Sequence, residues 1–393
     1  MQSATFIGFD PTRVPSPCFV VDEFAVEQNL KVLHRVQQQS GAKILAALKA
    51  FSMWSLAPLI SQYLSGVCAS GYCEAQLGYD EYTQHGTEGE VHVFSAALSD
   101  RDFNKIIPLA NHIVLNSFSQ WEKFQPRIEH YKRTGKSVSV GLRINPQHSE
   151  GATAIYDPCA PGSRLGIPIT GFAGKQLTGI DGIHFHTLCE QGLEPLRRTL
   201  AKIEADFGDY LQQVSWVNFG GGHHISHPDY DVDGLIELIK RFSQQYSVQV
   251  YLEPGEAVAI RTGILVSEVL DVMHTDQPHV ILDTSATCHM PDTLEMPYKA
   301  DIFNAGIAGK KNHTYRVGGM TCLAGDVMGD YSFDQPLQVG DRLIFDDMAH
   351  YTMVKTTTFN GIQLPAIALW NSQTDQLKIV RKFGYNDFKE RLS

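Results

Sequence analysis

The sequence lacks long hydrophobic runs, paired cysteines and an excess of basic residues. No apolar stretch approaches the roughly eighteen residues of a membrane-spanning helix. The first residues, MQSATFIGFD, lack the basic segment and apolar core of a signal peptide, so we expect a cytoplasmic protein. Seven cysteines without a C-x-x-C motif disfavour disulfides and structural zinc. The net charge of −11 argues against nucleic-acid binding and is compatible with a cationic substrate.

The first two-thirds of the 393 residues alternate strand and helix patterns. Eight segments predict strands: Ile44–Lys49, Gly66–Ser70, Val91–Ala96, Ile113–Asn116, Val138–Asn145, Gly182–His186, Trp216–Phe219 and Val248–Glu253. Seven segments predict helices: Glu23–Gln39, Trp54–Tyr63, Tyr72–His85, Asp100–Leu109, Gln120–Tyr131, Glu194–Phe207 and Asp233–Tyr246. Strict alternation predicts a parallel sheet, and eight repeats over roughly 250 residues favour a closed barrel. An open doubly wound sheet is the alternative, but it more often has about five or six strands.

The pattern changes after about Arg261. Strand-like segments there are separated by Gly, Asp and Pro: Gly263–Val272, His279–Asp283, Thr314–Gly318, Asp341–Phe345 and Gln376–Arg381. The next predicted helix is Asn386–Leu392, and the extended stretch Ala4–Val21 could add a strand. We therefore predict an α/β chain with a (β/α)8 TIM-type barrel over 23–260 and an all-β, barrel-like domain over 1–22 and 261–393.

Reactive side chains lie at the ends of the predicted barrel strands, where barrel active sites are found. Lys49 ends the first strand, so its amine is predicted to point into the barrel mouth; a solvated surface lysine is the alternative. His184 and His186 alternate along the sixth strand, which predicts that both face the interior. Such a pair can stack on a planar ring, bind a metal ion, or form hydrogen bonds within the core.

The seventh and eighth strands end in residues suited to a phosphate and a cation. Gly220, Gly221 and Gly222 follow the seventh strand, where backbone N–H groups often bind phosphate; a tight turn is the alternative. Glu253 ends the eighth strand. A carboxylate buried there needs a cation or donors, which a protonated pyridine nitrogen or Arg143 would supply.

The second domain contributes further candidates. Cys322 lies in a glycine-flanked loop and could donate a proton, while the Tyr351 hydroxyl could bind phosphate; both could instead be packing residues. Glu256 and Asp292 are loop acids that could bind the amines of a cationic substrate. An amine, an imidazole, a glycine loop, a carboxylate and a thiol in this order are the parts that a pyridoxal phosphate enzyme needs.

On these motifs the chain resembles the pyridoxal phosphate-dependent decarboxylases of the alanine-racemase fold, the relatives of ornithine and diaminopimelate decarboxylases. Its His-Thr-Leu-Cys-Glu and Glu-Pro-Gly-Glu segments are most similar to the carboxynorspermidine (carboxyspermidine) decarboxylases of polyamine biosynthesis. The resemblance implies pyridoxal 5'-phosphate as cofactor and a homodimer with shared active sites. It also implies that carboxynorspermidine or carboxyspermidine is decarboxylated to norspermidine or spermidine.

The resemblance further implies a role for each candidate residue. Lys49 would form an imine with the cofactor, and His186 would stack on the cofactor ring. Phosphate contacts would come from Gly220, Gly221, Gly222 and Tyr351. Glu253 would pair with the pyridine nitrogen, and Cys322 would protonate the substrate Cα across the dimer interface. The substrate amines would bind to Glu256, Asp292 and Asp326, and no metal is expected.

Three positions depart from the family pattern. Glu256 replaces an arginine near the phosphate, Cys189 replaces a common serine, and Leu323 replaces an acid after the proton-donor cysteine. The loss of that acid argues against ornithine or diaminopimelate as substrate. A same-fold racemase remains an alternative, although racemases typically place an arginine where this chain has Glu253. A metal-dependent hydrolase and an inactive homologue that binds a partner are further alternatives.

Overall fold

The computed structural model describes residues 3–84, 89–151 and 153–393. Its strands are β1 (Cys18–Asp22), β2 (Lys43–Ala47), β3 (Gly66–Ala69), β4 (Glu90–Phe94), β5 (His112–Leu115), β6 (Ser139–Arg143), β7 (Gly182–His184), β8 (Trp216–Asn218), β9 (Gln249–Leu252), β10 (Gly263–His274), β11 (Pro278–Leu282), β12 (Gly306–Ile307), β13 (His313–Gly318), β14 (Val327–Phe333), β15 (Arg342–Phe345), β16 (Ala366–Asn371) and β17 (Gln376–Arg381). Its α-helices are α1 (Glu23–Ser40), α2 (Ala57–Tyr63), α3 (Tyr72–Leu77), α4 (Asp100–Ile106), α5 (Phe118–Arg133), α6 (Leu193–Leu211), α7 (Val232–Tyr246), α8 (Glu256–Ala259), α9 (Ala286–His289), α10 (Asp292–Glu295) and α11 (Tyr385–Lys389).

The chain divides into two compact units. One comprises Met1–Val26 and Ala259–Ser393, and the other comprises Glu27–Val258. In the second unit β2 to β9 form a closed barrel in which every neighbouring pair is parallel. The ring closes where β9 pairs with β2, with Tyr251 opposite Lys43. The predicted (β/α)8 barrel is confirmed.

Helix α7 shows how a cap and an apolar face in the sequence produce a barrel helix. The Asp231 carboxylate caps α7 by accepting a hydrogen bond from the Gly234 N–H at 2.8 Å. Leu235, Ile239 and Phe242 recur at helical spacing and are buried. This face of α7 is therefore held by hydrophobic packing, and its outer residues are left to solvent.

The barrel strands end earlier than the sequence pattern predicts. β2 ends at Ala47 because the chain then turns, and the Ala50 N–H donates back to the Ala47 carbonyl at 3.1 Å. Lys49 therefore lies in a turn, and His186 and Glu253 likewise follow their strands directly. The predicted helix Tyr72–His85 consists of α3 and a π-helical segment, Gly78–Tyr82; His85 lies outside the described residues.

The other unit contains a mixed, mostly antiparallel sheet. Its strand order is β12-β14-β13-β11-β10-β1-β16-β17, and β15 pairs with β10. The predicted second, β-rich domain is confirmed. Sequence patterns missed β12, β14 and β16. None of the helices in the described part of the chain combines the length and hydropathy that crossing a bilayer requires.

The N-terminal stretch supplies a central strand of this sheet. β1 pairs antiparallel with β10, with Cys18 opposite Val266, and parallel with β16 on its other side. Only the last part of the predicted stretch Ala4–Val21 is a strand, because short 3-10 turns occupy Ala4–Phe6 and Pro11–Arg13. Phe6 lies beside Trp370 with ring centroids 5.3 Å apart, so the turns pack onto the same core.

Candidate active site

Glu253 is an enclosed carboxylate at the carboxyl end of the barrel. His184 Nε2 donates to its Oε2 atom at 3.2 Å, and Asn218 Nδ2 donates to its Oε1 atom at 2.7 Å. Burial by itself would raise the pKa of Glu253, but His184, with smaller contributions from His92 and Asn218, lowers it to about 2. Glu253 is therefore an anion at neutral pH. The alternative partner, Arg143, instead donates to the His186 carbonyl at 3.3 Å.

His186 is held as a neutral imidazole in the same part of the barrel. Its Nδ1 atom accepts a hydrogen bond from the Gly221 N–H at 2.9 Å and so carries no proton. Burial, followed by the charges of Lys49 and Arg143, keeps the pKa of His186 well below its usual value. The ring is thus uncharged and fixed in orientation, as a stacking surface requires.

Lys49 provides the amine of the site. Lys49 is exposed, so the barrel wall does not enclose its side chain. After burial, the charge of Lys49 is the next largest cause of the lowered pKa of His186. The structure therefore brings Lys49 into electrostatic range of the His186 imidazole that the sequence predicted beside it.

The three glycines after β8 are required by close packing of the backbone. A Cβ atom on Gly220 would lie 2.4 Å from the Phe185 carbonyl oxygen, and one on Gly222 would lie 2.0 Å from that of Leu188. Gly220 and Gly222 also have φ angles of +69° and +84°. On Gly221 a Cβ would lie 2.3 Å from the Glu253 carbonyl oxygen. The backbone packing alone therefore requires glycine at these three positions, whether or not a phosphate binds there.

Only some N–H groups of this glycine loop remain available to a ligand. The Gly220 N–H donates to Asn218 Oδ1 at 2.8 Å, and the Gly221 N–H donates to His186. Among the described residues, no acceptor pairs with the N–H groups of Gly222 and His223. Phosphate binding by this loop would therefore use Gly222 and the following residue more directly than Gly220 or Gly221.

Sequence reasoning missed several neighbours of these residues. Asn218 alternates with Trp216 along β8, a period-two signal for an inward side chain that could have identified it. Glu190 and His224 lie with Glu256 in one cluster, whose ligand-type atoms are within 4.8 Å of one another. His224 Nε2 lies 3.1 Å from Glu256 Oε2. Glu256 thus belongs to a mixed group of two acids and an imidazole that no local motif marks.

A second His–Glu cluster lies on β4 and β5. His92 Nε2 is 2.8 Å from Glu90 Oε2, and Lys43 forms an ion pair with the same carboxylate. The rings of His92 and His112 are stacked, with centroids 3.9 Å apart and planes 14° apart. Because the ring planes are nearly parallel, the two imidazoles cannot both direct an in-plane lone pair at one ion. This cluster is better described as an internal ion-pair network.

The candidates in the β-rich unit have different surroundings. Cys322 is exposed, and its N–H donates to Asn360 Oδ1 at 2.8 Å. Asp292 is largely buried and pairs with Lys355 Nζ at 2.5 Å. Asp326 is buried, and its carboxylate accepts hydrogen bonds from within its own unit. Tyr351 has a φ of +50°, and its predicted phosphate contact stays a prediction.

Comparison with known proteins identifies the family. Residues 18–349 match the family described as pyridoxal-dependent decarboxylase, C-terminal sheet domain. The chain belongs to the pyridoxal-dependent decarboxylases. The predicted decarboxylase and its pyridoxal phosphate cofactor are thereby confirmed.

Two relatives of the decarboxylase and one solved structure are similar to it over nearly its whole length. A carboxyaminopropylagmatine decarboxylase of Synechocystis is 45% identical, covering 97% of this chain and 96% of the relative. A carboxynorspermidine/carboxyspermidine decarboxylase of Campylobacter jejuni is 41% identical over 96% of this chain and 99% of the relative. The crystal structure of a C. jejuni carboxynorspermidine decarboxylase complexed with norspermidine superimposes with a TM-score of 0.87 at 40% identity, covering 96% of this chain and 100% of that one. The predicted resemblance is confirmed.

The barrel residues fit pyridoxal phosphate. The cofactor needs an amine for imine formation, an anion for its ring nitrogen and donors for its phosphate. Lys49 offers the amine, and the ionised Glu253 offers the anion. The N–H groups of Gly222 and His223, which donate to no described residue, offer phosphate donors. The decarboxylase therefore has suitable groups for each part of the cofactor within the barrel unit.

Proposed function

We propose that this decarboxylase acts on carboxynorspermidine and carboxyspermidine and releases norspermidine and spermidine. The observation that carries the proposal is the similarity, at 40% identity over 96% of the chain, to a carboxynorspermidine decarboxylase crystallised with norspermidine. The net charge of −11 is compatible with a polycationic substrate. Carboxyaminopropylagmatine is the second candidate, because the Synechocystis relative named for it is 45% identical.

The surroundings of Asp292 favour the first candidate. Lys355 Nζ lies 2.5 Å from both Asp292 Oδ1 and Glu295 Oε2. This pair of carboxylates therefore accepts a compact ammonium group between them. A guanidinium is planar and is best bound by a bidentate carboxylate fork, which this arrangement does not present. We expect Asp292 to bind a primary amine of the substrate in place of, or beside, Lys355.

Charge and geometry support the roles that we propose for the barrel residues. When bound, pyridoxal phosphate supplies an electron sink for the pair of electrons left at Cα as carbon dioxide departs. Lys49 would hold the cofactor through its side-chain amine. The Glu253 anion would pair with the pyridine nitrogen and favour its protonated form, since a carboxylate with a pKa of about 2 stays ionised at neutral pH. His186 would offer its neutral ring face for stacking on the cofactor.

The remaining roles concern the phosphate, the substrate and the final proton. The loop of Gly220, Gly221 and Gly222 would hold the phosphate, chiefly through the Gly222 N–H, with Tyr351 as a further donor. Glu256 is a second acid for substrate amines. Cys322 returns a proton to Cα. We further propose a cytoplasmic homodimer in which Cys322 serves the site of the partner subunit. Its exposed thiol supports an action outside its own unit.

A product assay tests the proposal. Purified enzyme with pyridoxal phosphate is incubated separately with carboxynorspermidine, carboxyspermidine and carboxyaminopropylagmatine, and with ornithine and diaminopimelate as controls. Carbon dioxide and amine products are quantified. We expect the highest kcat/KM with the two amine-terminated triamines. A higher value with carboxyaminopropylagmatine would establish the second candidate, and a higher value with either control amino acid would refute the proposal.

A further inference from the structure

Asp326 is a buried carboxylate that is satisfied by neutral donors. Asp326 has a relative exposure of 3%. Oδ1 accepts from Ser285 Oγ at 3.0 Å and from the Thr287 N–H at 3.2 Å. Oδ2 accepts from Thr321 Oγ at 2.6 Å and from the Thr321 N–H at 3.2 Å. Because burying a carboxylate is costly, four donors directed at it indicate an arrangement built around this group.

The loop that contains Cys322 is folded around this carboxylate. The Gly319 N–H donates to the Asp326 carbonyl at 2.9 Å, and the Asp326 N–H donates to the Leu323 carbonyl at the same distance. A Cβ on Gly319 would lie 2.4 Å from Asp326 Oδ2, so only glycine allows this approach. Residues 319–326 therefore form a closed loop, fixed from inside by Asp326.

A second anchor acts on Cys322 itself. Its N–H donates to Asn360 Oδ1 at 2.8 Å. Asn360 has φ +58° and ψ +11°, a left-handed conformation that asparagine tolerates better than most residues. The anchors on either side of the thiol thus come from separate parts of the chain, and the thiol itself remains exposed.

Helix α9 connects the two anchors. Ser285, its N-cap, and Thr287 donate to Asp326. At its other end the Cys288 carbonyl accepts from the Thr357 N–H at 2.8 Å, and His289 Nε2 donates to the Gln363 carbonyl at 3.1 Å. Hydrogen bonds therefore join segments 285–289, 318–326 and 357–363, and this hydrogen-bonded group of segments supports the backbone of Cys322.

We infer that Asp326 and Asn360 are positioning residues that fix the backbone of Cys322 so that its thiol delivers the proton to Cα. The inference rests on the proposed role of Cys322. It replaces the substrate-binding role expected for Asp326, because both carboxylate oxygens are occupied by protein donors. Decarboxylation itself needs neither residue; the step they serve is the transfer of the thiol proton to the carbon that has lost carbon dioxide.

Asn360 allows a matched test. Asn360→Gly removes the acceptor while relaxing the left-handed backbone, and Asn360→Asp keeps an acceptor in the same place. Asn304→Gly is the control, since Asn304 also has a left-handed backbone, with φ +61°, and lies outside the Cys322 loop. We expect Asn360→Gly to lower kcat for carboxynorspermidine about tenfold or more, with KM changed less than about twofold. Asn360→Asp should restore kcat, and Asn304→Gly should leave it unchanged.

Two further readouts separate positioning from a general structural effect. Amide hydrogen exchange at Cys322 should accelerate about fivefold in Asn360→Gly and not in Asn304→Gly. The solvent deuterium isotope effect on kcat should rise in Asn360→Gly, because proton delivery becomes slower relative to the other steps. Asp326→Asn, which leaves one of its donors without an acceptor, should reproduce both changes if it folds. If Asp326→Asn does not fold, the results with Asn360→Gly alone test the inference.

The outcomes distinguish this inference from the proposed function. If Cys322→Ala loses kcat and Asn360→Gly keeps it, the positioning inference is wrong and the proton-donor role stands. If Cys322→Ala keeps full kcat, the proton-donor role fails and the inference fails with it. A wild-type enzyme that releases no carbon dioxide from any carboxylated polyamine refutes both.

Discussion

Replacing Glu253 with glutamine tests the electrostatic core of the site with almost no change of shape. The carboxylate accepts hydrogen bonds from His184 and Asn218, and its four lone-pair positions leave room for a ring N–H. Glutamine offers only one oxygen, so its amide must face a second donor or force His184 to change tautomer. The variant therefore removes an anion and leaves one buried polar contact unfavourable.

The size of the effect follows from the pKa of Glu253. A shift from the ordinary value of 4.5 to about 2 corresponds to about 3 kcal/mol in favour of the ionised form, despite burial. We expect Glu253→Gln to lower the free energy of unfolding by about 1–3 kcal/mol at pH 7. Loss of the anion beside the pyridine nitrogen should also lower kcat by about 10²–10³.

The pH dependence of this stability loss provides an internal check. A carboxyl with a lowered folded-state pKa contributes stability above its unfolded pKa of 4.5, and that stability disappears as the pH falls towards 2. The difference between wild type and Glu253→Gln in urea unfolding should therefore be largest near pH 7 and shrink below pH 4.5. Glu237→Gln, which removes one charge from an exposed position on α7, is the control. An unchanged kcat, or a stability difference that does not vary with pH, would refute the reasoning.

Three further predictions concern the barrel and the buried histidines of both units. Lys49→Ala should abolish turnover and the visible imine absorbance of added pyridoxal phosphate; retention of both would exclude Lys49 as the imine residue. Gly222→Ala should destabilise by at least about 2 kcal/mol in urea unfolding, because its Cβ would lie 2.0 Å from the Leu188 carbonyl oxygen. Gly135→Ala, with a similar φ of +83° and open space around it, should cost only about 1 kcal/mol. Burial lowers the pKa of His112 to about 3 and that of His223 and His289 to about 4. Since the unfolded chain binds these protons near pH 6.5, stability should be full above that pH and fall towards pH 4, by at most about 2 kcal/mol per histidine at pH 5. Equal unfolding free energies at pH 7 and pH 5 would contradict this.

The barrel could be predicted from the sequence because its signal is local and repeated eight times. Each strand is a short apolar run, the long helices have apolar faces, and Ser99, Ser117 and Asp231 cap α4, α5 and α7. The strand ends were less predictable. Lys49 lies beyond β2 because hydrogen bonds to neighbouring strands and a turn at Ala50 determine where pairing stops. Such partners are distant in sequence, so the local pattern overestimates strand length.

The surroundings of the candidate residues depended on contacts that no motif records. Asn218 reaches Glu253 from another strand, 35 residues away. Lys355 reaches Asp292 across 63 residues. The missed strand β14 (VMGDYSF) contains glycine, aspartate and serine, which weaken the strand pattern, and its pairing with β13 stabilises it. Residue types at strand ends therefore indicated the chemistry, while their hydrogen-bond partners required the three-dimensional structure.

Asp292 and Asp326 illustrate what those partners add. Both acids lie in the same unit and both are buried, so burial alone assigns them the same role. Asp326 is satisfied by four neutral donors from the chain, an arrangement that fixes a loop and leaves its oxygens occupied. Asp292 instead faces the ammonium of Lys355, whose pKa rises to about 12 because the carboxylates outweigh its burial. A site that already holds an ammonium is suited to a substrate amine, whereas a carboxylate enclosed by hydroxyl and amide donors is suited to holding the backbone. The kind of partner therefore distinguishes the two proposed roles.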